Sequence, residues 1–214
     1  AGSSIAVPES VQAAVNWTQL AEDDQLYPGA KYAEDAARYV YILPKKATTK
    51  KGCTVVAYFG NSKNVKLPRK IGSYKITNFG TGFSTLTNIQ TITMPSGYTT
   101  IESKAFNGLG QLYRISIPAS VTTIGDGVFY NCKKLENISV AVGNANYVAV
   151  DGVLFNKEMS ELLAYPVGRS NAAYTIPKTV NRVGTGAFYN CKSLIGIVLP
   201  DKLKEIGEEA FAGC

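Results

Sequence analysis

Cysteine is the most reactive residue type in this chain, and its four copies are Cys53, Cys132, Cys191 and Cys214. A cysteine nucleophile needs a base that removes its proton, and the chain contains no histidine, the commonest general base and metal ligand. No two cysteines form a Cys-x-x-Cys pair, so zinc and thioredoxin-like interpretations have no support. The acidic residues are scattered and form no paired-carboxylate motif. We therefore expect a protein that is not an enzyme and that uses no metal or cofactor.

Positive charge is concentrated in one stretch of the chain. Between Ala36 and Ile101 there is no aspartate or glutamate, whereas ten residues are basic, and the net charge of the whole chain is +6. Such a stretch attracts acidic polysaccharide, teichoic acid or an anionic membrane surface. Nucleic acid is not expected, because the aromatic residues here resemble core or strand residues rather than stacking platforms. The alternative interpretation is that solvated lysines keep a capping region soluble. The candidate residues for an anionic partner are Lys45, Lys46, Lys50, Lys51, Lys63, Arg69, Lys70 and Lys75.

The elements that position these residues come from an internal repeat. Four segments align without gaps, and they are 91–109, 114–132, 173–191 and 196–214, with prolines at Pro95, Pro118, Pro177 and Pro200. The first two and the last two prolines are each 23 residues apart, within the range of leucine-rich repeats. One and three residues before each proline the side chain is apolar, as at Ile115 and Ile117. This period-two alternation predicts a short strand with one buried face.

A phenylalanine stands eleven residues after each proline, which predicts an aromatic ladder inside the stack. The Gly-x-Gly triplets at 125–127 and 184–186 predict a turn, followed by a short helical turn that carries Ala-Phe. One coil alone cannot fold. Its buried side chains contribute on the order of 10–20 kcal/mol, whereas ordering its backbone costs roughly 1–2 kcal/mol for each residue. Each coil must therefore stack on its neighbours.

Two further copies of the repeat are irregular. The copy at 65–83 has the strand and the proline, followed by about four extra residues. The next irregular copy has Ala141 where a proline is expected, and its apolar runs at 153–155 and 162–165 predict a β-hairpin. We therefore expect one long, hairpin-containing repeat at about 135–171.

The recurring pattern Leu-x-x-Ile-x-Ile-Pro-x-x-Val-x-x-Ile-Gly-x-x-Ala-Phe-x-x-Cys resembles the BspA-type leucine-rich repeats of bacterial surface proteins. The run from Asp151 to Phe155, with Tyr165 and Pro166, is similar to a long repeat variant of that family. The resemblance implies an α/β solenoid, a right-handed coil of about 23-residue repeats with short parallel strands and short helical turns. It also implies a cell-surface or secreted location and adhesion to surface molecules. It carries no residue-level binding site, because the shared motif is structural.

Residues 1–51 do not follow the repeat. Segment 7–23 predicts a helix, and the strand-like residues 39–43 precede a turn into a second strand at 53–59. A polar-faced helix and a hairpin would cover the apolar end of the first coil, as solenoids require. The alternative is that this segment is an independent functional element. We therefore predict an N-terminal helix and hairpin cap over 1–51 and a leucine-rich repeat solenoid of about six coils over 52–214.

The strand positions that point away from the core provide a second candidate site. They carry short hydroxyls and amides, which suit hydrogen bonding to a peptide or a sugar, and in solenoids this face is the extended binding surface. The alternative is that threonine and serine simply favour exposed strand positions. The candidate residues are Lys66, Thr91, Thr93, Arg114, Ser116, Asn137, Ser139 and Thr175.

The sequence favours a non-catalytic binding or adhesion module that recognises a host extracellular protein, a glycan or an anionic wall polymer. The other interpretation is a passive spacer that holds further domains away from the cell surface. No apolar run is long enough to span a membrane, and we expect a monomer. The chain opens with AGSS and shows no signal peptide, which fits a mature secreted protein and equally fits a cytosolic one. The family resemblance implies an extracellular or cell-surface protein whose signal peptide has been removed. Cys214 lies inside a repeat motif, so either this coil closes the array by its own loops or the repeat continues, and we expect further domains in the native protein.

Overall fold

The computed structural model describes residues 31–34, 37–43, 52–58, 60–81 and 88–214, which form strands and turns. No helix occurs among these described residues. The strands are β1 (Lys31–Glu34), β2 (Tyr39–Leu43), β3 (Cys53–Tyr58), β4 (Asn64–Lys66), β5 (Lys70–Ile71), β6 (Tyr74–Phe79), β7 (Thr91–Thr93), β8 (Thr100–Ile101), β9 (Arg114–Ile117), β10 (Thr123–Ile124), β11 (Asn137–Val140), β12 (Tyr147–Val150), β13 (Val153–Asn156), β14 (Glu161–Ala164), β15 (Ala173–Thr175), β16 (Arg182–Val183), β17 (Gly196–Val198) and β18 (Glu205–Ile206).

Short strands of successive coils pair in parallel. We number the coils one to six by their first strands, β4, β7, β9, β11, β15 and β17. β7 pairs with β9 so that Ile92 lies opposite Ile115, and β8 pairs with β10 so that Thr100 lies opposite Thr123. The first strands form one sheet in the order β4-β7-β9-β11, and the second strands continue a separate ladder, β3-β6-β8-β10. The chain is therefore a β-solenoid of about six turns with a spacing of about 23 residues.

The segments that carry the phenylalanines are runs of turns, so the expected short helical turns are not confirmed. In coil two, alternate amides bond back along their own coil, Ala105 to the carbonyl of Glu102 and Leu109 to that of Phe106. The amides between them donate to the next coil, as Phe106 does to the carbonyl of Val128 at 3.0 Å. An α-helix needs consecutive bonds within its own segment. Because the adjacent coil takes half of the amides, a helix cannot form here.

Aromatic rings stack along the inside of the solenoid. They form two groups, Phe79–Phe106–Phe129 and Tyr165–Phe188–Phe211, with neighbouring centroids 4.6 to 5.2 Å apart. The inward strand residues, such as Ile92 and Ile115, are buried beside the rings. The predicted aromatic ladder is therefore confirmed within each group. In the long repeat Tyr165 occupies the place of a phenylalanine.

The long repeat interrupts the stack between coil three and coil five. Its strands β12, β13 and β14 form an antiparallel sheet, and β14 then pairs in parallel with β16. Both faces of β13 are buried, because Leu154 packs in the core of the first half and Val153 and Phe155 pack in the core of the second. The predicted hairpin is present as β13 and β14, and β12 adds a third strand that the sequence pattern did not indicate.

Asn144 fixes the point where the long repeat leaves the regular path. This buried side chain donates from Nδ2 to the carbonyls of Pro118 and Val121, each at 3.0 Å. Its Oδ1 accepts from the amides of Asn146 and Tyr147 at 2.8 and 2.9 Å. All four hydrogen-bonding positions of the carboxamide are thus used. The side chain ties coil three to the first strand of the insertion, β12.

An antiparallel hairpin continues the second ladder on its N-terminal side. β1 pairs with β2, β2 pairs with β3, and β3 pairs in parallel with β6. The hydroxyl of Tyr39 donates to the carbonyl of Lys66 at 2.8 Å, which joins this hairpin to β4. The helix predicted for 7–23 and the turn predicted before β3 lie outside the described residues. The division of the chain at residue 51 stays a prediction.

Candidate functional site

Two columns of polar side chains run across the sheet β4-β7-β9-β11. One column contains Asn64, Thr91, Arg114 and Asn137, and the other contains Lys66, Thr93, Ser116 and Ser139, each in register with its neighbours. Members of the two columns are two residues apart in each strand, so both columns project from the same side of the sheet. With strands about 4.8 Å apart, they cover roughly 14 Å across four coils. We call these eight residues the strand face.

Hydroxyl groups in the middle of the strand face are open to a partner. Thr93 and Ser116 are exposed neighbours on β7 and β9, and their hydroxyls have no hydrogen-bond partner among the described residues. At the N-terminal edge the hydroxyl of Thr91 donates to Oδ1 of Asn64 at 2.8 Å. The sequence prediction included Thr91 and missed Asn64, although Asn64 precedes the apolar Val65 as Thr91 precedes Ile92.

An aromatic ring lies next to the strand face. The guanidinium carbon of Arg114 lies 5.2 Å from the ring centroid of Tyr113, and the Tyr113 side chain is 37% exposed. The sequence pattern assigned no role to Tyr113, which directly precedes β9. Comparison of the coils could have identified it, because the equivalent positions on the adjacent coils carry the polar residues Gln90 and Glu136. Arginine and tyrosine are enriched where protein interfaces concentrate their binding energy.

Thr175 is not brought to the other predicted residues. Its strand β15 belongs to a two-stranded sheet with β17, where Thr175 lies opposite Val198. The long repeat separates this sheet from β11. The strand face therefore contains seven of the eight residues predicted for it, together with Asn64.

The described basic candidates, Lys63, Arg69, Lys70 and Lys75, are all outside the buried core. Lys70 lies directly opposite Lys75 in the antiparallel pair of β5 and β6. Like charges in this arrangement repel each other, and an anion bound between the two lysines would offset that repulsion. Arg69 donates from Nη1 to the hydroxyl of Ser96 at 3.0 Å. The remaining candidates, Lys45, Lys46, Lys50 and Lys51, lie outside the described residues.

The cysteines are free thiols that are buried at Cys53, Cys132 and Cys191 and exposed at Cys214. Sγ of Cys132 donates to the carbonyl of Phe106 in the preceding coil at 3.0 Å. Burial raises the pKa of Cys53 to about 11 and that of Cys191 to about 12, so both are protonated at neutral pH. A thiol without its thiolate form is a poor nucleophile. The buried cysteines act as small core residues, in agreement with the sequence prediction for Cys132 and Cys191.

The BspA type leucine-rich repeat region family matches this chain in six copies, over residues 56–155 and 168–214. The chain belongs to this family. BspA-type leucine-rich repeat proteins are bacterial surface proteins. Within the described part of the chain, no helix is long and apolar enough to cross a membrane.

Two solved structures share the fold of this BspA-type chain. A leucine-rich repeat protein from Eubacterium ventriosum has a TM-score of 0.53 and 23% identity, over 83% of this chain and 62% of its own. The pneumococcal vaccine antigen PcpA has a TM-score of 0.51 and 18% identity, over 86% of this chain and 68% of its own. This chain thus spans less than two thirds of the Eubacterium protein. No curated protein matches it.

Proposed function

We propose that this chain is a non-catalytic binding module of a secreted or cell-surface bacterial protein, and that it binds an extracellular protein through the strand face. The observation that carries the proposal is the register of the two polar columns across four successive coils. A solenoid presents such columns as one extended surface. Membership of a leucine-rich repeat family supports protein binding in general. That the partner is an extracellular protein is our proposal.

The chemistry of the strand face suits a protein surface. Thr93 and Ser116 offer hydroxyls that both donate and accept, and Arg114 offers a guanidinium beside the ring of Tyr113. None of the eight side chains is acidic, while Lys66 and Arg114 carry positive charge. We therefore expect a partner that presents peptide carbonyls and at least one carboxylate to this sheet.

Bulky residues in the middle of the strand face test the proposal. The parent chain and the double variant Thr93→Trp/Ser116→Trp are compared by surface plasmon resonance on a panel of immobilised extracellular-matrix proteins. The matched control places tryptophan at Thr123 and Ser170, two exposed hydroxyl residues outside the strand face. We expect the parent and the control to bind one panel protein with equal affinity, and the strand-face variant to lose that binding while it keeps the parent's unfolding midpoint. Equal binding by all three chains would contradict the proposal.

A second candidate function is attachment to an anionic wall polymer through the exposed basic residues. The observation that favours it is the like-charge pair of Lys70 and Lys75. Binding to heparin or teichoic acid should then fall steeply as salt rises, because exposed charges are screened beyond about 8–10 Å at physiological ionic strength. Lys70→Gln/Lys75→Gln should weaken this binding and leave the panel protein bound. If the two substitutions change nothing at low salt, these lysines serve solubility alone.

The passive spacer is the remaining alternative. A spacer would bind neither the protein panel nor an anionic polymer at any salt concentration.

We also propose that residues 1–51 cap the first coil. The pairing of β3 with β6 supports this cap, because it joins the edge of the hairpin to the second ladder of the solenoid. We also propose that the protein is a monomer that does not bind nucleic acid.

A further inference from the structure

The interruption of the stack leaves a cleft between coils three and five. The tetrapeptide Tyr-Asn-Cys-Lys occurs twice, at 130–133 and 189–192, and the long repeat between these copies lacks it. The rings of Tyr130 and Tyr189 stack with centroids 4.4 Å apart, which holds the two copies at a fixed spacing. The long repeat contributes only Val167 and Gly168 to the space beside them. The cleft has a volume of about 340 Å³, at the lower end of the range for small-molecule sites, about 300–1,000 Å³.

The walls of the cleft are polar and positively charged. One wall has Asn131 and Lys133, and the other has Asn190, Lys192 and Ser193. No acidic side chain lines the cleft, so neither lysine has a counter-charge inside it. An anionic group placed between the walls would be attracted from both sides.

Two side-chain amides in the cleft indicate what else the ligand must carry. Nδ2 of Asn131 donates to Oδ1 of Asn107 in the preceding coil at 2.9 Å. The position equivalent to Asn131 and Asn190 is Gly108 in coil two and Gly213 in coil six, and it is asparagine in the two coils that flank the long repeat. Among the described residues, Oδ1 of Asn131 and Nδ2 of Asn190 have no hydrogen-bond partner. The cleft therefore offers one carboxamide acceptor, one carboxamide donor, the hydroxyl of Ser193 and two cations.

We propose that this cleft binds an acidic sugar unit, one that carries a carboxylate or sulfate together with hydroxyl groups. A sugar hydroxyl donates and accepts through one oxygen, so it can join the two side chains by accepting from Nδ2 of Asn190 and donating to Oδ1 of Asn131. The anionic group then lies between Lys133 and Lys192. A simple carboxylate or a phosphate dianion satisfies the lysines and leaves Asn131 without a donor. This site goes beyond the proposed strand-face function and does not depend on it.

Chemical-shift perturbation in ¹H–¹⁵N spectra tests the proposal with three small-molecule probes and an oligoglutamate peptide. Glucuronate has both required features, glucose has only the hydroxyls, and acetate has only the carboxylate. We expect glucuronate to shift the side-chain amide signals of Asn131 and Asn190 and the backbone signal of Gly168, and the other two probes to leave them unchanged. Equal shifts with acetate would show simple anion binding and would overturn the proposal, as would no shift with any probe. Shifts with an oligoglutamate peptide in the absence of glucuronate shifts would assign the cleft to acidic peptides instead.

Charge-matched variants separate the cleft from general electrostatics. Lys133→Gln/Lys192→Gln should weaken glucuronate binding about tenfold, because each exposed ion pair adds only modestly to affinity. Lys157→Gln/Lys178→Gln removes the same charge from exposed sites that do not line the cleft and should bind as the parent does. The strand-face variant Thr93→Trp/Ser116→Trp should also retain glucuronate binding. If both lysine pairs weaken binding equally, the affinity comes from the overall net charge and the cleft has no specific role.

Discussion

Substitution of the buried Phe106 by alanine tests how much the stacked rings stabilise the coils. Phe106 is fully buried, and its ring is covered on both sides, by Phe79 at 4.6 Å and by Phe129 at 5.2 Å. Replacement by alanine removes these contacts and leaves a cavity, which costs about 3–5 kcal/mol of unfolding free energy. Urea unfolding followed by circular dichroism should show this loss as a midpoint lower by about 1 M or more, given slopes of about 1–3 kcal/mol/M.

The same substitution in the sixth coil provides the matched control. Phe211 is partly buried and stacks on one described ring, Phe188, at 5.0 Å. Phe211→Ala should therefore cost about half as much, roughly 1.5–2.5 kcal/mol. A loss for Phe106→Ala below about 1 kcal/mol, or one equal to that of Phe211→Ala, would refute the account of a ladder whose inner rings support the coils on both sides.

Two further predictions concern buried polar groups. Asn144→Ala removes four hydrogen bonds and leaves two carbonyls and two amides without their partner. It should therefore lower the free energy of unfolding by about 1–3 kcal/mol or more in the same urea assay. The same substitution at the exposed Asn171 should change that free energy by no more than about 0.5 kcal/mol. The pKa of Cys53 is raised to about 11 and that of Cys191 to about 12, so the stability contributed by these protonated thiols is complete below about pH 9 and is lost as pH rises toward 11. The fall in urea midpoint between pH 9 and 11 should be smaller in Cys53→Ala/Cys191→Ala than in the parent, and an equal fall in both chains would count against burial as the cause.

The repeat made the regular coils predictable from the sequence. Columns at fixed distances from each proline separated inward residues, such as Ile115, from outward ones, such as Ser116, because stacking repeats the same environment every 23 residues. The pairing register followed from the same spacing, as in Ile92 opposite Ile115. The phenylalanines Phe106, Phe129 and Phe188 and the thiols of Cys132 and Cys191 were also assigned correctly to the core, because each lies in a column whose members are apolar or small.

The features that depend on contacts between coils were not predictable in the same way. The short helical turns are not confirmed, and the sequence of one coil does not show that its amides bond to the next, as Phe106 does to Val128. Thr175 shares its column with Ser139, yet the width of the insertion places it on a separate sheet. The cleft arises because the long repeat lacks the tetrapeptide Tyr-Asn-Cys-Lys that coils three and five share. Only a comparison of these two copies with the coil between them could have indicated it.

Hydrogen–deuterium exchange with and without the partner found on the protein panel tests the central claim most directly. Binding through the strand face predicts slower exchange of backbone amides at 91–93 and 114–117 in the complex, with unchanged exchange at 205–206 in the sixth coil. These segments are the neighbouring strands β7 and β9 at the middle of the strand face and the remote strand β18. Protection confined to segments outside β4, β7, β9 and β11 would contradict the claim that this sheet is the binding surface.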